Sequence, residues 1–427
     1  MTTLHLPGRR GPVDAIVSVP GSKSVANRAL VCAALAPEGN SHVSNVPGGD
    51  DCAAMLAALD GSGCLLSDGA VRGGVFPGGA TVFDAGLAGT TSRFLLAAAA
   101  LSGDGIVVDG GEPLRHRPMS DLLDALRTLG VRVEEMAEPG HLPVRVSSGP
   151  RIAGGEARVR GDVSSQFISA LMLVAPRFAS GLTIAVDGEL VSAPYVEMTA
   201  EVMRSFGAEV HVADRTISVA GGGYRCTDYV VEPDFSSAAF PLMALAFTDG
   251  RVRVRNLGLA RLQGDSRVLE VARAMGLSVT EHGDDIVVER LPGTHLSPVN
   301  LDLRDASDLV PAVAVACAAI AGRSTISGVG FIRNKESNRI TDLVACLAGI
   351  GVEATETDDG LKVTGGSAIS CRAAVQTHHD HRLAMAFALP AAGAVPVTID
   401  DPGVVSKSWP SYFADMAGVL GAGRTDN

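Results

Sequence analysis

The chain has 427 residues, 46% of them hydrophobic, and a formal charge of −12 at neutral pH. That length allows two or three domains with real cores, and no apolar run reaches the roughly 18 residues of a membrane span. The acidic balance argues against a nucleic-acid surface, yet a local basic cleft can still hold an anion.

The chain begins MTTLHLPGRRGPVDA, with neither an apolar signal core nor a long Arg/Ser-rich arm, so a cytoplasmic location is expected. The next stretch, VPGSKSVANRAL at 19–30, runs a Gly-Ser-Lys-Ser turn into an apolar helix. One reading is an N-cap by Ser22 or Ser24 with Lys23 in solvent; the other is an anion sharing the positive helix end with Lys23. A Walker loop is excluded, because Ser22 separates Gly21 from Lys23.

The same pattern recurs along the chain. A small-residue-rich apolar helix, preceded by Ser, Thr or Asp and followed by Gly and an alternating strand, occurs six times. The copies align on Ala29, Phe94, Ile168, Phe240, Ala312 and Ala384, the last four spaced 72 residues apart. Five copies add a second, amphipathic helix ending at Gly, as in LLDALRTLGVRVEE (122–135). Each copy therefore predicts a strand–helix–strand–helix–strands module of α/β class. Six modules suggest two domains of three, with several positive helix ends available to a multiply charged anion.

The residues at those helix starts are Lys23, Ser24 and Arg28; Gly89, Thr90 and Arg93; Ser164, Ser165 and Gln166; Asp234, Ser236 and Ser237; Asp308; and Asp380, His381 and Arg382. Capping explains several Ser, Thr and Asp residues but not Lys23, Arg28, Gln166 or Arg382. Connecting loops add Arg115 and Arg117, then Arg333, Lys335, Glu336 and Arg339, then Lys407. The chain has four lysines (23, 335, 362 and 407), and three of them fall in these segments. A rotatable ammonium differs from a planar guanidinium, which makes those three positions candidates for function. Seven scattered cysteines, never spaced C-x-x-C, fit reduced thiols without a disulfide or zinc framework. His378, His379 and His381 have only Asp380 among them as an oxygen ligand, so no metal is expected.

GSKSxxNRAL, LAGTxxR, the Arg-Pro of RHRP, SSQF, KESNR and DHR occur here in the order found in the 5-enolpyruvylshikimate-3-phosphate synthases. The chain resembles that family of enolpyruvyl transferases over essentially its whole length. The resemblance implies the two-lobe fold, an inside-out α/β barrel of six βαβαββ-like repeats, three per lobe. It implies an outer lobe of 1–20 plus 233–427, a second lobe of 21–232, and an active site in the cleft between them. The related UDP-N-acetylglucosamine enolpyruvyl transferases typically have Lys-Asn where this chain has Lys23-Ser24. They also carry a reactive Cys at the position held here by Glu112.

By resemblance, the reaction moves the enolpyruvyl group of phosphoenolpyruvate to the 5-hydroxyl of shikimate 3-phosphate, releasing phosphate on the route to chorismate and aromatic amino acids. Shikimate 3-phosphate would be held by Ser24, Arg28, Ser164, Ser165, Gln166, Ser192, Asp308 and Lys335. Phosphoenolpyruvate would be held by Lys23, Gly89, Arg117, Gln166, Arg339, Arg382 and Lys407. Asp308 is the expected base for the hydroxyl, with Glu336 and Lys23 the candidates for proton delivery at the methylene carbon. No metal or organic cofactor is implied, and a monomer acting on small molecules is expected.

Three positions depart from the common family pattern. Leu87 and Phe331 stand where asparagine is frequent, and Phe94 where proline is frequent. The first two put some acceptor hydrogen bonds in question and keep open a transferase acting on a different acceptor. Gly89 leaves room for an inhibitor such as glyphosate, so sensitivity is expected.

Overall fold

The computed structural model describes residues 2–148 and 152–426. The chain divides into two compact units, Gly21–Val231 and Met1–Pro20 with Glu232–Asn427. Glu232 is tied into the second of these: its carboxylate accepts from the N–H groups of Arg261 (2.7 Å) and Leu262 (3.1 Å) and from Gln263 Nε2 (2.8 Å).

In the unit 21–231 the longer helices are α1 (Lys23–Leu35), α2 (Asp50–Gly61), α3 (Gly89–Ala99), α4 (Ser120–Thr128), α5 (Ser165–Val174) and α6 (Ala193–Ser205). The Ala-, Leu- and Val-rich helices α1, α3 and α5 pack on one another, which is why they are apolar on nearly every side. The amphipathic helices fill the grooves: α2 between α1 and α3, α4 between α3 and α5, α6 between α5 and α1. The other unit holds α7 (Phe235–Met243), α8 (Val268–Met275), α9 (Val310–Cys317), α10 (Arg339–Gly349) and α11 (His381–Phe387). There α9 packs against both α7 and α11, and Pro311 sits in its first turn, where no N–H partner is lost.

Sheets with one buried face cover these helices. In 82–147, the strand Val82–Asp84 runs parallel to Ile106–Asp109, which pairs antiparallel with Val144–Ser147, itself the partner of Arg132–Glu135. The same first–second–fourth–third order recurs in the sheets of 155–219 and 300–365. It recurs again where Val13–Val17 pairs with Gly250–Val254 as the first strand of the fourth module. Burial alternates along these strands, for example in Val13–Val17, so their other face meets solvent.

The remaining two modules are completed by distant chain. Tyr229–Val230 pairs parallel with Val43–Ser44 in the first module. Thr3–Leu6 lies between Val397–Asp400 and Arg424–Asp426 in the sixth. All six modules thus exist, but the first, fourth and last each take a strand from elsewhere in the sequence.

Candidate active site

In the unit 21–231, the first turns of four helices lie side by side. Lys23 Nζ reaches Asp51 Oδ2 of α2 at 2.9 Å, with side-chain exposures of 17% and 5%. Thr91 Oγ1 of α3 donates to the Asp51 carbonyl (2.8 Å) and accepts from Asn27 Nδ2 of α1 (3.3 Å). Gln166 Nε2 of α5 donates to Thr90 Oγ1 (3.1 Å). Four helix N-termini therefore share one neighbourhood, a setting that favours anions. Ser22 occupies the N-cap position of α1 but its hydroxyl accepts no capping bond. Lys23 pairs with a carboxylate, so the simple capping reading of this turn does not hold.

Ser164 does cap α5, accepting from the Gln166 N–H at 3.3 Å, and Ser165 follows it, almost fully buried. Ser192 takes left-handed backbone angles (φ 57, ψ 41) at the start of α6 and is likewise buried. Gly89 opens α3, and a Cβ there would meet the guanidinium of Arg117. Arg93 supports that wall, donating to the carbonyls of Gly89 (2.7 Å) and Pro118 (3.3 Å). Arg115 turns away into a two-bond contact with Asp109 (2.9 and 2.6 Å).

Arg28 is 1% exposed. It donates to Thr199 Oγ1 (2.7 Å), the Ser24 carbonyl (2.7 Å), Ser169 Oγ (3.1 Å) and the Tyr195 carbonyl (3.3 Å), with the Phe94 ring 5.2 Å from its Cζ. Burial pulls its pKa down to about 10. No carboxylate among the described residues pairs with it, so this cation is held by neutral dipoles and a π face. Phe94 therefore packs beside a residue expected to bind the acceptor.

In the other unit the expected residues form one charge network. Arg339, 1% exposed, donates to Asp380 Oδ2 (2.7 Å), Asp308 Oδ1 (3.1 Å) and Glu336 Oε2 (2.7 Å). Burial works to lower its pKa, but Asp380, Glu336 and Asp308 outweigh that and move it upward. Arg382 donates to Asp308 Oδ2 (2.7 Å), and Lys407 Nζ lies 3.6 Å from Glu336 Oε1. Asp380 is fully buried and also caps α11, accepting from the Arg382 N–H at 2.9 Å. Lys335 stands beside Phe331, its Nζ 6.0 Å from the ring centroid. Arg333, by contrast, is anchored on Glu356 (2.6 Å).

The EPSP synthase (3-phosphoshikimate 1-carboxyvinyltransferase) family model matches residues 8–416. The chain belongs to this family. A 3-phosphoshikimate 1-carboxyvinyltransferase of Nostoc punctiforme is 37% identical to this family member, covering 97% of the chain and 98% of the relative. The enzyme of that name from Methanothermobacter thermautotrophicus is 39% identical over 95% of each chain. The solved EPSP synthase of Acinetobacter baumannii superposes with a TM-score of 0.81, covering 100% of both chains at 24% identity, a likeness of fold.

Two carboxylates of this synthase-family chain escaped the sequence reading in their roles. Asp51 carries no local signal, being the partner of a lysine 28 positions earlier on another helix. Asp380 was visible in DHR as a helix start, but its grip on Arg339 spans 41 positions. Among the described residues, no helix is long and apolar enough to cross a membrane.

Proposed function

We propose that this protein is a 3-phosphoshikimate 1-carboxyvinyltransferase, moving the enolpyruvyl group of phosphoenolpyruvate to the 5-hydroxyl of shikimate 3-phosphate with release of phosphate. The observation that carries this reading is the pairing of family membership over 8–416 with an Asp308–Arg339–Glu336 charge network in one unit and the Lys23 helix-start cluster in the other.

The chemistry assigns the groups. Addition needs a proton on the methylene carbon of phosphoenolpyruvate and removal of one from the acceptor hydroxyl; elimination then breaks the C–O bond to phosphate and returns the methyl proton. Asp308 is the base for the hydroxyl, and Glu336, with Lys23, handles the methylene proton. Arg117, Arg339, Arg382, Lys407 and Lys23, with Gln166 and the Gly89 backbone, receive the carboxylate and phosphate of phosphoenolpyruvate, because guanidinium forks and ammonium groups match those anions. Ser24, Ser164, Ser165, Gln166, Ser192, Asp308 and Lys335 receive shikimate 3-phosphate, and Arg28, which donates to the Ser24 carbonyl, adds positive charge for it. The protein works as a monomer in the cytoplasm, and glyphosate competes with phosphoenolpyruvate at the Gly89 end.

The test is to incubate the protein with both substrates and identify the product by mass. One enolpyruvyl ether of shikimate 3-phosphate per phosphate released supports the reading. Turnover with another alcohol but not with shikimate 3-phosphate would replace it with a transferase of altered acceptor.

A further inference from the structure

Phe331 occupies a rigid position. Asp359 accepts from the N–H groups of Gly328 (2.8 Å, Oδ2), Val329 (2.9 Å, carbonyl) and Gly330 (3.4 Å, Oδ1), stapling the turn before Phe331 to the hairpin at 353–365. Just after it, Arg333 grips Glu356 Oε2 (2.6 Å) and the Thr357 carbonyl (3.0 Å) of the same hairpin. Between those staples the Phe331 ring packs on the hydrophobic core of its unit while staying partly open. Lys335 follows at the end of the short helical turn Gly330–Asn334, and its ammonium stands 6.0 Å from the ring centroid. A lysine stem has four rotatable bonds, so a fixed aromatic face beside the ammonium removes much of its freedom.

We infer that Phe331 is a positioning and specificity residue for the acceptor, its ring face holding the Lys335 ammonium where the acceptor's phosphate docks. The inference rests on the reading that Lys335 binds that phosphate. The ring orients the ammonium through its π face. It also leaves an apolar wall beside the anion subsite, suited to an acceptor that presents the C–H face of a ring and disfavouring one that presents a hydroxyl there.

Steady-state kinetics on Phe331→Leu, Phe331→Tyr, Lys335→Met and the Phe331→Leu/Lys335→Met double variant test it. Leucine fills the core but offers no π face, so Phe331→Leu should raise KM for shikimate 3-phosphate about two- to fivefold, with a smaller change in KM for phosphoenolpyruvate. Phe331→Tyr keeps the face and should restore the wild-type value. In the Lys335→Met background, the leucine substitution should add nothing. Equal behaviour of the Leu and Tyr variants, or a leucine effect that persists without Lys335, overturns the inference. An unchanged acceptor KM in Lys335→Met removes the underlying assignment of Lys335, and the inference with it.

Discussion

Gly89→Ala isolates the placement of one guanidinium. The added Cβ would lie 2.5 Å from Arg117 Nη1, 2.8 Å from Arg117 Cζ and 2.7 Å from Arg93 Nη1. Ordinary non-bonded contact begins near 3.5 Å, so a guanidinium must retreat by about 1 Å. Arg93 is buried and held by two carbonyls, which leaves Arg117 to move. Hydrogen bonds to charged groups are worth about 1.5–3 kcal/mol, so loss of one good contact corresponds to roughly ten- to a hundredfold in affinity. Gly89 is helical, without left-handed angles, and alanine is the better helix former, so stability should hold. Phosphate release at saturating shikimate 3-phosphate, with phosphoenolpyruvate varied, should give a KM raised at least tenfold and an unchanged melting temperature. A KM within twofold of wild type would refute the idea that this glycine makes room for Arg117 as a phosphoenolpyruvate ligand.

Other consequences concern the carboxylates and thiols. Asp51→Asn removes the counter-charge of Lys23 without changing shape, and should lower kcat/KM for phosphoenolpyruvate about tenfold or more; an unchanged value would detach Asp51 from Lys23's function. Asp380→Asn breaks a buried pair with Arg339 and should cost about 3–5 kcal/mol, a fall in melting temperature on the order of 10 °C by scanning calorimetry. An unshifted transition would mean the pair is not formed in solution. Burial raises the thiol pKa values of Cys32, Cys64 and Cys346 to about 12 and of Cys317 to about 11. A thiol reagent at pH 8 should therefore label only Cys226 and Cys371 in the native protein, the two cysteines that are not buried; rapid labelling of five or more would contradict the packing.

The six apolar helices were readable because each buries nearly all of its surface, leaving a local pattern that repeats. The strands completing the first and sixth modules were not, because Tyr229–Val230 and Thr3–Leu6 pair with partners far along the chain. The site divides the same way. Lys23, Arg28 and Arg382 were legible as cations that capping cannot explain, whereas Asp51 became a partner only through helix packing. Capping potential misled at Ser22, and two of the loop cations, Arg115 and Arg333, pair with Asp109 and Glu356. A cation's sequence shows its charge; the fold decides whether it faces a ligand or a carboxylate.

Asp308, bracketed by Arg339 and Arg382, is the proposed base that removes the hydroxyl proton of shikimate 3-phosphate. Phosphate release by wild type and by Asp308→Asn, with each substrate alone and with both, tests it most directly. Release should require both substrates, and Asp308→Asn should release phosphate a hundredfold or more slowly than wild type, on the order expected for loss of a general base. Wild-type rates in Asp308→Asn, or release from phosphoenolpyruvate alone, would contradict it.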